Sequence, residues 1–139
     1  TLNHYRSGVR GTLGIVEHTD SGFITVIAAD QPGFEIYHQG MWQAVPLEPG
    51  CFIVNLGDAY QILTAHLRLP GHAVLHRVIE TVPVRDTPDR SSFTVYMGPN
   101  FDMSLYQYRG SGALEVYQSF RTFSVLKAQG MGYGFHDRV

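Results

Sequence analysis

The sequence predicts an all-β fold (a sandwich, barrel or jelly roll) closed by one C-terminal helix. Three observations predict it. Eight apolar runs of strand length follow one another, turns carrying glycine or proline separate many of them, and only the end of the chain shows helical spacing. The composition suits a single folded domain: 139 residues, 44% hydrophobic and 16% charged, too apolar for a disordered tail. A formal charge of −2 removes the electrostatic basis for binding nucleic acid or an anionic membrane. No apolar stretch reaches the ~20 residues that cross a bilayer. No charged-then-apolar leader opens the chain, so a soluble, cytoplasmic domain is expected.

In chain order the predicted strands are 13–16, 23–28, 34–37, 42–45, 52–56, 60–64, 74–79 and 93–97. Each is rich in Val, Ile, Phe, Tyr, Thr or Trp, the side chains that fit a pleated, half-buried surface. Gln39-Gly40 reads as the tight turn of a hairpin between two aromatic runs. Pro49-Gly50 and Pro70-Gly71 each precede a strand, with glycine expected to supply a positive φ. Cys51, within Cys51-Phe52-Ile53-Val54, reads as a small buried hydrophobe. Residues 113–129 lack proline and place Val116, Phe120, Phe123 and Lys127 at helical spacing, with Gly130 as the stop. That stripe predicts a helix packed on the outside of the sheet.

Seven histidines raise the question of convergence. In His18-Thr19-Asp20 an imidazole and a carboxylate two residues apart would share one face of a strand. A third ligand would come from His66, His72 or His76; the first two sit in loop or turn contexts, and His76 lies within a strand beside Val74 and Val78. Two histidines and one carboxylate form the facial triad of non-haem Fe(II) sites, and zinc also accepts such ligands. Arg90 and Ser92 share a strand face with Thr94 and Tyr96. There a guanidinium could fork onto a carboxylate with a hydroxyl beside it, or Arg90 could stand exposed at the mouth of a hairpin.

Seven ordered fragments together resemble the iron- and 2-oxoglutarate-dependent dioxygenases, in the subfamily of isopenicillin N synthase and the plant flavonoid and gibberellin oxidases. Asn3-His4-Tyr5 resembles the family's N-x-Y strand, and His18-Thr19-Asp20 its H-T-D. Pro32-Gly33-Phe34-Glu35-Ile36 is similar to PGLQV, and Gly40-Met41-Trp42-Gln43-Ala44-Val45 to GKWVAV. Pro49-Gly50-Cys51-Phe52-Ile53-Val54-Asn55-Leu56-Gly57-Asp58 is similar to PGAFVVNIGD, Val74-Leu75-His76-Arg77-Val78 to SVLHRV, and Arg90-Ser91-Ser92 to R-x-S.

The resemblance implies a double-stranded β-helix, with residues 1–99 as β-core and 100–139 as a C-terminal extension with a helix, all in one domain. It implies Fe(II) on His18, Asp20 and His76, which makes His76 the third ligand. It implies 2-oxoglutarate as cosubstrate, its far carboxylate on Arg90 and Ser92 with Tyr5 and Asn3 assisting. The implied reaction is O2-driven oxidation of a small organic substrate, giving succinate and CO2, with ascorbate as a candidate reductant. A 2-oxoglutarate-independent oxidase, of the oxidative-cyclase or ascorbate-using type, would keep the same Arg and Ser. A truncated, non-catalytic jelly-roll module is the other alternative. Metal ligation needs neutral imidazoles, so affinity should fall below pH about 6.5.

Ile24, Tyr60, Phe93 and the segment after Pro99 are candidates for lining a substrate pocket. Residues 83–89 read as a surface insertion, and residues 6–11 replace the family's proline-rich segment. Members also carry an N-terminal region of helices and strands that this sequence lacks. That region would pack on the core, which should therefore expose apolar surface.

Overall fold

The computed structural model describes residues 1–5, 13–79 and 89–129. Expectations for residues 6–11, 83–88 and Gly130 lie outside them. Two four-stranded antiparallel sheets make the body, a double-stranded β-helix. The first contains β1 (Leu2–Tyr5), β8 (Arg90–Met97), β3 (Ile24–Ala29) and β6 (Ile53–Leu56), in that order. The second contains β2 (Leu13–His18), β7 (His76–Ile79), β4 (Phe34–His38) and β5 (Met41–Ala44). The chain changes sheet at almost every step, and this winding brings distant residues opposite one another. Gln39 at φ 51° and Gly40 at φ 80° form the expected tight turn between β4 and β5.

Between the sheets, Ile27, Phe34 and Val78 are buried, with Tyr5, Ile15, Ile36, Val45 and Ile53 packed against them. A separate apolar cluster lies around α1 (Asp58–Thr64), β9 (Ser104–Tyr108) and α2 (Phe120–Ala128), where Ala59, Ile62, Leu105, Phe120 and Phe123 are buried. Burying each large side chain there contributes roughly 1.5–3 kcal/mol.

Several expectations are corrected. Residues 60–64 belong to helix α1, because Ala59 and Ile62 lie three apart and both enter the second cluster. Residues 113–129 divide into strand β10 (Leu114–Ser119), paired with β9, and helix α2. Ser119 marks the boundary by accepting a hydrogen bond from the Thr122 amide at 3.1 Å. Strand β9 itself went unread. Helix α2 packs Phe120 and Phe123 against α1 and β9 instead of the outside of a sheet.

Cys51 is exposed, since it closes a turn onto the Glu48 carbonyl at 3.0 Å before β6 begins. Gly50 has the expected positive φ of 76°, whereas Gly71 does not appear among the positive-φ glycines. Gly71 instead lies under the Tyr60 ring, where an added Cβ would come within 2.3 Å.

Candidate metal centre and anion pocket

Strand β8 inverts the usual polarity. Arg90 (4% exposed) and Ser92 (3%) point inward, whereas Phe93 (63%) and Val95 (59%) face out. Directly opposite on β1, Tyr5 pairs with Arg90 and Asn3 with Ser92. Their side chains line one cavity of about 450 Å³, mouth included, together with Thr94, Thr25, Ile27, Ile15, Phe34, Val78, His18, Asp20 and His76. All seven site residues expected from the sequence therefore meet in one place.

At one end stand His18, Asp20 and His76, whose ligand atoms all lie within 4.8 Å of one another. Cross-strand register makes this possible, because His18 sits opposite His76 on the β2–β7 ladder. The Nδ1 atoms of His18 and His76 lie 2.8 Å from the Val16 and Val74 carbonyl oxygens. A carbonyl can only accept, so in the neutral imidazoles these contacts put the proton on Nδ1 and leave a lone pair on Nε2. Asp20 Oδ1 lies 3.7 Å from one Nε2 and 3.9 Å from the other. Atoms each about 2.1 Å from a shared cation fit such separations. Asp20 Oδ2 is buried without a hydrogen-bond partner, as expected of a carboxylate awaiting a cation.

Burial pushes the His76 pKa below its ordinary 6.5, outweighing the raising effects of the Val74 carbonyl and Asp20; His18 and Lys127 push the same way as burial. His76 is thereby kept neutral, the form that ligates. The Phe34 ring stacks on it at 5.1 Å.

Asp20 gets its place from a turn, since β2 ends at His18; simple strand alternation does not set it. The start of α1 grips that turn. The amides of Gly57, Asp58 and Ala59 donate to the carbonyls of Phe23 (3.0 Å), Asp20 (2.7 Å) and Gly22 (3.0 Å). Only glycine fits at 57, where a Cβ would come within 2.4 Å of Gly22 O and 2.7 Å of Asp20 O. Nearby, burial and then Asp20 and Asp58 push the Tyr96 hydroxyl up to about 12.

At the other end Arg90 is anchored through Nε, which donates to the Gln31 and Pro32 carbonyls at 3.1 and 3.0 Å. Its guanidinium lies 5.0 Å from the Tyr5 ring centroid. Arg90 Nη1 and the Tyr5 hydroxyl are both buried with no hydrogen-bond partner. Buried donors left open around a guanidinium suit an anion with several oxygens. Asn3 Nδ2 meets Thr94 Oγ1 at a long 3.5 Å.

The sequence reading missed Thr25, 3% exposed with an unpartnered Oγ1 in the same cavity. A hydroxyl between Ile24 and Val26 was its only signal. The other candidates fall elsewhere. His66 and His72 are exposed, and His66 meets Arg109. Ile24, Tyr60, Phe93 and Tyr96 do not line the cavity, and Tyr96 is 48% exposed.

The profile of the 2OG-Fe(II) oxygenase superfamily matches residues 1–99. The chain belongs to that family. Among curated relatives, gibberellin 3-beta-dioxygenase 2-3 of Triticum aestivum is 41% identical over 90 residues, 63% of this chain. The chain spans 22% of that relative's length. Among solved structures, rice dioxygenase for auxin oxidation superposes with TM-score 0.68 at 26% identity, covering 98% of this chain and 48% of its own. JOX2, solved in complex with 2OG, Fe and JA, gives TM-score 0.71 at 25% identity, covering 90% of this chain and 38% of its own. Among the described residues no helix is long and apolar enough to cross a membrane.

Proposed function

We propose that this chain forms the catalytic core of an Fe(II)- and 2-oxoglutarate-dependent oxygenase acting on a small organic substrate. One observation carries the reading. A three-ligand cluster and a buried guanidinium whose Nη1 has no hydrogen-bond partner occupy the two ends of a single cavity. His18, Asp20 and His76 would hold Fe(II). Arg90, Ser92 and Tyr5, with Asn3 at the edge, would hold the far carboxylate of 2-oxoglutarate. When bound, iron supplies the oxidative decarboxylation of 2-oxoglutarate by O2 to succinate and CO2, with one oxygen atom going to the substrate C–H bond.

The chain's own residues do the rest. The Val16 and Val74 carbonyls hold the imidazoles in the ligating tautomer. The Gln31 and Pro32 carbonyls aim the Arg90 fork into the cavity. Ile27, Phe34 and Val78 make an apolar wall that limits water and strengthens charge interactions within. Ascorbate would serve only to keep the iron ferrous. A reducing cytoplasm suits a chain whose single cysteine is exposed and free.

The outward apolar residues Leu2, Phe52, Val54, Phe93 and Val95 support the further reading that sequence found in the longer relatives packs on this sheet. Joining such sequence to the chain should raise the melting temperature and lower binding of an apolar dye.

The test is anaerobic addition of 2-oxoglutarate to the Fe(II)-loaded chain, followed by O2. A visible charge-transfer band and then succinate are expected. The band without succinate would favour a ligand-binding module. Iron binding without either would favour the 2-oxoglutarate-independent oxidase.

A further inference from the structure

Lys127, near the end of α2, reaches back across the fold to the residue between two of the proposed metal ligands. Its Nζ donates to the Thr19 carbonyl at 2.7 Å and to Thr19 Oγ1 at 3.0 Å, and it forms an ion pair with Asp58. Thr19 and Asp58 are both buried. The Asp58 amide in turn holds the Asp20 carbonyl at 2.7 Å. The turn carrying Asp20 is thus gripped from one side by the start of α1 and from the other by one ammonium group.

Helix α2 is also fastened through Phe120 and Phe123, which enter the apolar cluster, and through the Arg121–Asp102 ion pair. Lys127 is a polar link between that helix and the metal end of the cavity. An ammonium has three donors, and here three acceptors meet it.

We infer that Lys127 is a positioning residue for the metal centre, fixing the His18-Thr19-Asp20 turn so that Asp20 keeps its place between the two imidazoles. The inference rests on the reading of His18, Asp20 and His76 as metal ligands. Two effects of the ammonium oppose each other. Its positive charge repels a cation and disfavours binding, whereas its three hydrogen bonds pre-form the ligand set and favour it. Positioning is the larger effect, because loss of an outer-shell partner costs about 10–100-fold in metal affinity.

The experiment titrates the chain with Co(II), read by isothermal calorimetry and by the ligand-field spectrum, beside thermal melting of each metal-free protein. Lys127→Met should weaken Co(II) binding at least about tenfold and shift the visible bands. Lys127→Arg, which keeps charge and donors, should recover part of both. Val125→Ser, on the exposed side of α2, should match wild type. Should Lys127→Met not fold, Lys127→Gln takes its place with the same expected loss. Equal or tighter binding with an unchanged spectrum in a folded Lys127 variant would overturn the inference. Failure of the wild-type chain to bind Co(II) would instead overturn the metal-site reading beneath it.

Discussion

The two sheets solve the same packing problem with opposite patterns. The β2–β7–β4–β5 sheet turns Ile15, Phe34 and Val78 inward, as a half-buried sheet normally does. The β1–β8–β3–β6 sheet turns Asn3, Tyr5, Thr25, Arg90, Ser92 and Thr94 inward and shows Leu2, Phe93 and Val95 to the outside. Burying polar groups costs free energy unless they find partners. The inverted sheet is therefore the one shaped by the anion end of the cavity, and its partner sheet, joined by Ile27 of β3, supplies the apolar wall. The two histidines are the exception on the apolar side, and they lie next to each other on neighbouring strands.

The largest expected effect falls at the proposed cation. Asp20→Ala should abolish stoichiometric iron binding, measured by metal analysis after desalting, while far-ultraviolet circular dichroism stays unchanged. Next comes the anion end. Arg90→Lys keeps the charge and loses the fork, so the 2-oxoglutarate concentration needed for half-saturation should rise by roughly tenfold or more with iron affinity nearly unchanged.

Stability sharpens the contrast between the sheets. Phe34→Ala, on the apolar wall, should cost about 3–5 kcal/mol in denaturant unfolding, whereas Phe93→Ala, on the outside of the inverted sheet, should stay within about 0.5 kcal/mol.

The smallest effect is in pH. Because the folded His76 pKa lies below 6.5, the unfolded chain binds the extra proton more readily. Metal-free stability should therefore hold above pH 6.5 and decline as pH falls below it, levelling once the folded imidazole is protonated. His76→Gln should flatten that decline in urea titrations.

Much of this was legible in residue order. Gln39-Gly40 has only one common use between aromatic runs, and it became the β4–β5 turn. His18, Asp20, His76 and Arg90 stood in fragments whose order and spacing resemble one family, and they converge. The failures have physical causes. Residues 60–64 form too short a run for periodicity to separate strand from helix, and only contact with Leu105 and Phe123 decides it. Val116 fits a helical stripe and a strand alternation equally, and the partner strand β9 settles the matter. Thr25 and Lys127 were unreadable because their significance depends on neighbours distant in the chain. An orphaned hydroxyl is defined by who fails to meet it, and a brace by what it reaches.

The placement of His18 opposite His76 has a mechanical consequence. Among the described residues strand β2 pairs with β7 alone, and their register shifts twice along the ladder. A cation shared by the two imidazoles would rivet this loosely zipped rim strand shut. Metal loss and fraying of the rim would then be one event. At a free metal concentration 100 times its dissociation constant, the rivet would add about 2.7 kcal/mol of resistance to unfolding, and amide exchange along β2 should slow accordingly.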